Sequence, residues 1–322
     1  MSVLASQRKQ SKYDFVNNYV EFVKEFTPKM RKIPKRRHTL IYKPLQSSIA
    51  NALDCITRIE VYLYVPKTNY NIDKFITMIE NAINAIYQIH KPMLIYFNIF
   101  HIPFEQQCKV ADRLSRELQM LYGLLDKAIK KKNNEKVVDD MANKSVHDRK
   151  YPKTNINLQK YPYKMWILDW SQINSFKTAK LMCAFHRFMH SKLIRATHDL
   201  ENCETPLIAK LIDVAFVYLT NANYIYPHNK DEYEQREHLL KLTKQNLKSL
   251  QIPLLSYYNI MGYSENTMIM IADKLMELIN SIDALMRSDK KRFGHYLKTD
   301  VDKDNKDTKG KDNQSVENEN QK

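Results

Sequence analysis

Scarcity of glycine is the feature that most restricts the fold open to this chain. Only four of its 322 residues are glycine, namely Gly123, Gly262, Gly294 and Gly310. Tight turns between strands, phosphate-cradling loops and dinucleotide-binding loops need glycine where the backbone turns sharply or approaches a ligand. The sequence therefore argues against β-rich folds and against P-loop or Rossmann enzymes, and it favours helices.

Apolar residues recur at the three- and four-residue spacing of helices along the first half of the chain. The pattern predicts a helix over 13–26, a second from Pro44, a third over 71–90 and a fourth from about Pro103. Pro92 is expected to kink or end the third helix, because proline removes a backbone donor and clashes with the preceding turn. Four helices with short connections predict a four-helix bundle.

The second half of the chain repeats motifs of the first. Residues 49–54 read IANALD and 208–213 read IAKLID, at an offset of 159. Residues 92–99 read PMLIYFNI and 253–260 read PLLSYYNI, at an offset of 161. The motif ADRL recurs as ADKL at the same offset of 161. Ordered matches at a nearly constant offset predict a duplicated unit.

These patterns together predict an all-α fold of two tandem four-helix up-down bundles, joined by a polar linker and followed by a disordered C-terminal tail. The first bundle is expected over 1–132, the linker over 133–165 and the second, more divergent bundle over 166–292. The tail over 293–322 has almost no apolar residue beyond about position 299, so it cannot bury enough surface to fold.

Charge and cysteine content indicate the compartment and the kind of partner. The formal net charge of +15 predicts an anionic partner, although an even scatter of lysines would reflect compositional bias alone. The four cysteines form no CxxC motif and are typical of core residues in a reducing compartment. They are Cys55, Cys108, Cys183 and Cys203. Without a signal-peptide pattern or a membrane-spanning apolar run, we expect a cytoplasmic protein with no membrane association.

Basic residues are clustered rather than scattered. One cluster places six cations within nine residues after the first helix, and arginine and lysine suit phosphate contacts. It consists of Lys29, Arg31, Lys32, Lys35, Arg36 and Arg37. We predict that it binds nucleic acid, and a solvated loop that aids solubility is the alternative. A second cluster follows the fourth helix pattern, where phosphate binding and stabilisation of a helix C-terminus explain it equally well. It consists of Lys127, Lys130, Lys131 and Lys132.

One histidine pair has the spacing of metal ligands. His186 and His190 stand four residues apart, with Cys183 one turn earlier. However, Arg187 occupies the position of the glutamate in an HExxH motif, and the Glu-x-x-His set of a di-iron bundle is missing. The sequence shows no nucleophile–base signature either. We therefore expect no metal, no cofactor and no enzymatic activity.

Several of these features together resemble a known family. Residues 33–38 read IPKRRH after the first helix, Ala52-Leu53-Asp54 lies in the second, and Lys91-Pro92 follows the third. The pattern is similar to that of the accessory variability determinant proteins of diversity-generating retroelements, a family of small four-helix bundles. The similarity covers about 13–130 and, more weakly, about 176–290.

The resemblance implies a function that composition alone does not. Such proteins are non-enzymatic basic bundles that associate into rings, bind the reverse transcriptase and template RNA of their element, and support mutagenic complementary-DNA synthesis. The residues that match by position are Lys35, Arg36 and Arg37. The prediction is thus an accessory protein that binds RNA or single-stranded DNA, a reverse transcriptase and possible further copies of itself.

Two other functions stay open. The first is a four-helix-bundle scaffold for protein–protein assembly that has no nucleic-acid role. The second is a metal-dependent enzyme built around Cys183, His186 and His190.

Overall fold

The computed structural model describes residues 13–64, 71–137, 166–196, 204–261 and 264–297. All regular secondary structure within these ranges is helical, which confirms the predicted all-α fold. The predicted linker beyond Val137, and the tail beyond Leu297, lie outside the described residues.

The α-helices are α1 Asp14–Met30, α2 Lys43–Tyr62, α3 Ile72–Phe100, α4 Phe104–Val137, α5 Trp170–Ser175, α6 Lys177–Ala196, α7 Glu204–Tyr224, α8 Lys230–Lys248, α9 Gln251–Met261 and α10 Glu265–Phe293. A 3₁₀ turn over Lys35–Arg37 and a π turn over His38–Tyr42 lie between α1 and α2. Another 3₁₀ turn, Gly294–Leu297, follows α10.

The chain divides into two compact units that alternate along the sequence. The first unit comprises 1–173 and 186–213, and the second comprises 174–185 and 214–322. Helices α6 and α7 therefore each supply residues to both units. Residues 186–213, expected in a second tandem bundle, belong to the first unit, and the tandem arrangement itself stays a prediction.

In the first unit, each of the first four helices packs against two of the others. Helix α1 contacts α2 and α4, and α3 contacts the same two helices. Apolar residues at the helical spacing that predicted α1 and α4 lie in the buried core. Buried members of the α1 and α4 stripes are Phe15, Tyr19, Phe22, Phe26, Val110, Leu114, Leu118, Leu121 and Leu125. The 3.6-residue period thus identified the core-facing side of α1 and α4.

Pro92 does not end the third helix, contrary to one option predicted from the sequence. Helix α3 begins at its cap Asn71, whose side chain accepts a hydrogen bond from the Lys74 amide, and runs through Pro92 to Phe100. The apolar residues after the proline are buried, so packing favours continuing the helix despite the lost donor. His101, in the left-handed region with φ of 50°, ends it instead.

The segment that begins at Trp166 packs within the first unit, although a second bundle was expected to start there. Trp166 is fully buried and its ring lies 5.7 Å from that of His90. The Leu168 amide donates to Oε1 of Gln107 at 2.6 Å, and Gln107 Nε2 donates to the Ile102 carbonyl at 2.8 Å. These buried contacts fasten the chain entering α5 to the start of α4.

The second unit is held by polar contacts between helices as well as by its apolar core. Helix α8 packs on α10, and the Arg236 guanidinium of α8 pairs with the Asp289 carboxylate of α10 at 2.7 Å. Arg236 also donates to the carbonyls of Ala222 and Ile225 at 2.6 and 2.9 Å. Both members of this ion pair are buried. Their mutual pairing and the hydrogen bonds to the two carbonyls offset the cost of removing these charges from water.

One described helical segment, Thr205–Tyr224, is long and apolar enough to cross a bilayer when judged by length and composition alone. Its most apolar window is 67% buried inside the protein, as in a core helix of a soluble protein. This segment is therefore weak support for a membrane span.

Candidate functional site

The six cations of the predicted nucleic-acid site, Lys29, Arg31, Lys32, Lys35, Arg36 and Arg37, form one continuous segment that we call the basic junction. It begins in the last turn of α1 and ends with the 3₁₀ turn before the π turn. Two apolar residues of this segment, Met30 and Ile33, are buried at 4% and 3% exposure. They anchor the junction to the core and leave Arg31, Lys32, Lys35 and Arg36 exposed to solvent.

The backbone of the basic junction is ordered by local hydrogen bonds. The Ile33 amide donates to the Met30 carbonyl at 2.9 Å, and the Arg37 amide donates to the Pro34 carbonyl at 2.8 Å. Pro34 is extended, with φ of −58° and ψ of 142°, so it separates the turn after α1 from the 3₁₀ turn over Lys35–Arg37. The cations therefore stand on a defined turn.

Acidic residues are absent from the whole neighbourhood of the basic junction in sequence. No aspartate or glutamate occurs between Glu25 and Asp54. Both of these flanking carboxylates already hold partners, because Glu25 pairs with Arg113 at 2.7 Å and Asp54 pairs with Arg58 at 2.8 Å. Within the described ranges no junction cation makes an ion pair.

Arg37 is half-buried, unlike the four exposed cations of the junction. Its guanidinium carbon lies 5.0 Å from the centre of the Phe100 ring, in cation–π geometry. Burial lowers the pKa of the Arg37 guanidinium from its ordinary value, and the charge of Arg36 adds to this effect. Its Nε is buried and has no hydrogen-bond partner among the described residues.

The second predicted cluster is partly neutralised by the fold. Lys127, Lys130 and Lys131 are exposed on α4, whereas Lys132 is half-buried and forms an ion pair with Asp73 in the first turn of α3. Helix α4 continues to Val137, so these lysines precede its last turn. A helix dipole acts mainly within that last turn, and it therefore explains the cluster poorly.

The predicted histidine pair lies in a buried cluster of the first unit, together with Asp213. Nε2 of His186 and Nε2 of His190 lie 3.0 and 2.7 Å from the same oxygen, Oδ1 of Asp213. Both histidines are fully buried, and Asp213 is 8% exposed. Helix α6 supplies the histidines and α7 supplies the carboxylate.

Two further residues fix the tautomer of His186. Arg187 Nη1 donates to Oδ1 of Asn98 at 2.8 Å. Because a guanidinium only donates, Asn98 must present its amide nitrogen to Nδ1 of His186, 2.9 Å away. Nδ1 of His186 then accepts, and its Nε2 carries the proton donated to Asp213.

Burial and neighbouring charge shift the titration of this cluster. Burial lowers the pKa of His186 to about 4, against the opposing hydrogen bond to Asp213. For Asp213, burial acts to raise the pKa, but the adjacent imidazoles His190 and His186 outweigh it and hold the pKa well below its usual range. At neutral pH the carboxylate is therefore ionised beside a neutral His186.

The cluster has the composition of a metal site, since its ligating atoms lie within 4.8 Å of one another. Metal-bound histidines normally donate their second ring N–H to an acceptor. Here Nδ1 of His186 faces a donor, and Nδ1 of His190 is buried without a partner among the described residues. The hydrogen-bond pattern thus suits a metal-free polar network better than a metal centre.

Sequence reasoning found the histidines but missed Asp213 and Asn98. Both stand within repeated motifs, Asp213 at the end of IAKLID and Asn98 within PMLIYFNI. A polar residue kept at the same place in both copies of an apolar motif was the available signal. The first-copy counterpart of Asp213 is Asp54, which is exposed and pairs with Arg58.

A separate titratable group is buried between α1 and α4 in the first unit. Oε2 of Glu117 accepts a hydrogen bond from Nδ2 of Asn18 at 2.7 Å, while Oε1 is buried without a partner among the described residues. Burial raises the pKa of Glu117 to about 8, and the Asn18 hydrogen bond opposes the shift only in part. This carboxyl is therefore mostly protonated at pH 7.

Comparison with known proteins assigns no family and no function to this chain. Neither a scan of protein-family models nor searches of curated proteins and of solved structures found a match to the chain. The similarity to retroelement accessory proteins consequently rests on the sequence motifs alone.

Proposed function

We propose that this protein is a non-enzymatic binder of RNA or single-stranded DNA that uses the basic junction to hold phosphates. The observation that carries the proposal is the set of exposed cations without carboxylate partners on an anchored turn. Surface cations that already pair with carboxylates gain less from a phosphate, because the existing partner must be displaced. The junction cations face no such competition from the described residues.

The predicted reverse-transcriptase partner and the support of complementary-DNA synthesis rest on the family resemblance. In this proposal the junction concentrates nucleic acid near the active site of the polymerase, which raises the local concentration of its template. A reverse-transcriptase gene and a variable repeat beside the gene for this chain would support that partner.

A scaffold for protein assembly is the second candidate function, and apolar exposure in the second unit favours it. Ile252 and Leu255 of α9 are 82% and 59% exposed, and Ile269 and Met276 of α10 are 51% and 49% exposed. Within each helix the two side chains have the spacing of one face, and contiguous exposed apolar patches often mark protein interfaces. This function needs no contribution from the basic junction.

A salt titration separates the two candidates. Binding to a labelled single-stranded RNA is measured by anisotropy over a range of salt concentrations, for the wild type and an Arg31→Gln/Lys32→Gln/Lys35→Gln/Arg36→Gln variant. If each cation contacts one phosphate, the log–log salt slope should flatten by about 3 units, from about 0.7 per contact on a single strand.

The chain offers a control with the same loss of charge. Its four replaced cations all pair with carboxylates: Lys24→Gln, Arg58→Gln, Lys109→Gln and Lys241→Gln. If the salt slope flattens equally in both variants, the loss of net charge explains the effect, and the RNA site cannot be assigned to the basic junction. If the wild type does not bind RNA even at low salt, the assembly scaffold is the candidate function that remains.

A further inference from the structure

Two aromatic rings stand directly after the basic junction. The rings of His38 and Tyr42 are stacked, with centroids 4.5 Å apart and planes inclined by 21°. Both residues are half-buried. They lie at the two ends of the π turn, where the Lys43 amide donates to the His38 carbonyl. Turns of this kind are rare and frequently mark functional sites.

The orientation of the His38 ring is fixed by the junction itself. Nε2 of His38 lies 3.1 Å from the carbonyl oxygen of Ile33. Because a carbonyl oxygen only accepts, Nε2 must carry a proton and donate it. Ile33 is in turn buried at 3% exposure, so the aromatic pair is tied to the same anchored turn that carries the cations.

The preceding residue adds a third planar group. Arg37 lies with its guanidinium 5.0 Å from the Phe100 ring centre, and its Nε has no hydrogen-bond partner among the described residues. Guanidinium and aromatic planes both stack on nucleobases in single-stranded complexes. Residues 35–42 thus combine exposed charge with flat side chains in one short segment.

We propose that His38 and Tyr42 form a stacking platform for unpaired bases, which makes the basic junction selective for single strands. The inference rests on the proposed function, since the junction must first bind the backbone. Paired bases in a duplex are covered on both faces by their neighbours, so only unpaired bases can reach the platform. Charge then supplies affinity for any phosphate chain, and the rings supply the preference for exposed bases.

The test compares two single strands of the same charge. One is an oligothymidine of about 15 nucleotides, within the range of sites bound by single-strand-binding folds. The other has the same length but carries abasic residues, which retain the phosphates and lack the bases. For wild-type protein, we expect the oligothymidine to bind more tightly by about 5- to 150-fold per stacked base.

Variants locate the base-dependent part of the affinity. His38→Ala/Tyr42→Ala should lower affinity for oligothymidine to that for the abasic strand, while affinity for the abasic strand and the salt slope stay unchanged. Tyr42→Phe retains the ring and should retain the preference. The control is Tyr226→Ala/His228→Ala, which removes another tyrosine–histidine ring pair, with centroids 5.4 Å apart, from the second unit.

Failure of this inference differs from failure of the proposed function. Equal wild-type affinity for both strands, or an equal loss on both strands in His38→Ala/Tyr42→Ala, overturns the stacking platform. In either case, a salt slope that flattens in the Arg31→Gln/Lys32→Gln/Lys35→Gln/Arg36→Gln variant would still support the proposed function. If the wild type binds neither strand, the proposed function itself fails.

Discussion

Replacing the buried carboxyl of Glu117 with the neutral amide in Glu117→Gln should stabilise the protein, increasingly so as pH rises. In the folded state burial raises the pKa of Glu117 to about 8, whereas an unfolded glutamate titrates near 4.3. Between these values the folded state binds about one proton more than the unfolded state. The free energy of unfolding must therefore fall with rising pH, by about 1.4 kcal/mol per pH unit.

The size of the effect at neutral pH follows from the interval between the two pKa values. From pH 4.3 to pH 7, the wild type loses about 3 to 4 kcal/mol through this group. Glutamine has no proton to lose, and its oxygen can keep the hydrogen bond that Asn18 donates at 2.7 Å. The amide nitrogen would occupy the place of Oε1, which already lacks a partner among the described residues. We therefore expect a gain of about 3 kcal/mol at pH 7 and almost none near pH 4.5.

Urea unfolding of wild type and Glu117→Gln at pH 5, 6, 7 and 8 measures this difference directly. The control is Glu105→Gln on the same helix, because Glu105 is exposed and its ion pair with Lys109 lowers its pKa instead. A Glu117→Gln curve that runs parallel to wild type over this pH range, or that lies below it throughout, would refute the protonated, buried carboxyl.

Two more predictions concern buried polar groups. Arg236→Met should cost about 3 to 5 kcal/mol in thermal or urea unfolding, because it leaves the Asp289 carboxylate buried without its closest partner. The double variant Arg236→Met/Asp289→Leu should recover most of this loss, and a single variant as stable as wild type would show that the pair contributes nothing. Zinc at one equivalent and EDTA should both leave the melting temperature unchanged, because Nδ1 of His186 faces the Asn98 amide nitrogen rather than the acceptor a metal-bound imidazole needs. A saturable rise with zinc that disappears in His190→Ala would show a metal site at His186, His190 and Asp213.

The basic junction could be predicted from the sequence because its charge density and its position after the first helix are local properties of the chain. The apolar spacing that predicts a helix over 13–26 placed the segment near the end of α1, and the density of cations distinguished it from scattered lysines. Arg31, Lys32, Lys35 and Arg36 are exposed because Met30 before them and Ile33 among them are the side chains that turn into the core. The His38–Tyr42 stack was not predicted, since it depends on a π turn that has no simple periodic signature.

The sequence by itself determined the helical class and the core-facing side of helices such as α1 and α4. Both follow from the lack of glycine and from a period that is repeated every few residues. Only the tertiary structure decided that α3 continues through Pro92, that 186–213 belong to the first unit, and that Glu117 is buried. It also brought Asn98 beside His186, 88 residues away in the chain. Periodicity shows which face of a helix is apolar, but the partner of that face is fixed by long-range packing, which no local pattern encodes.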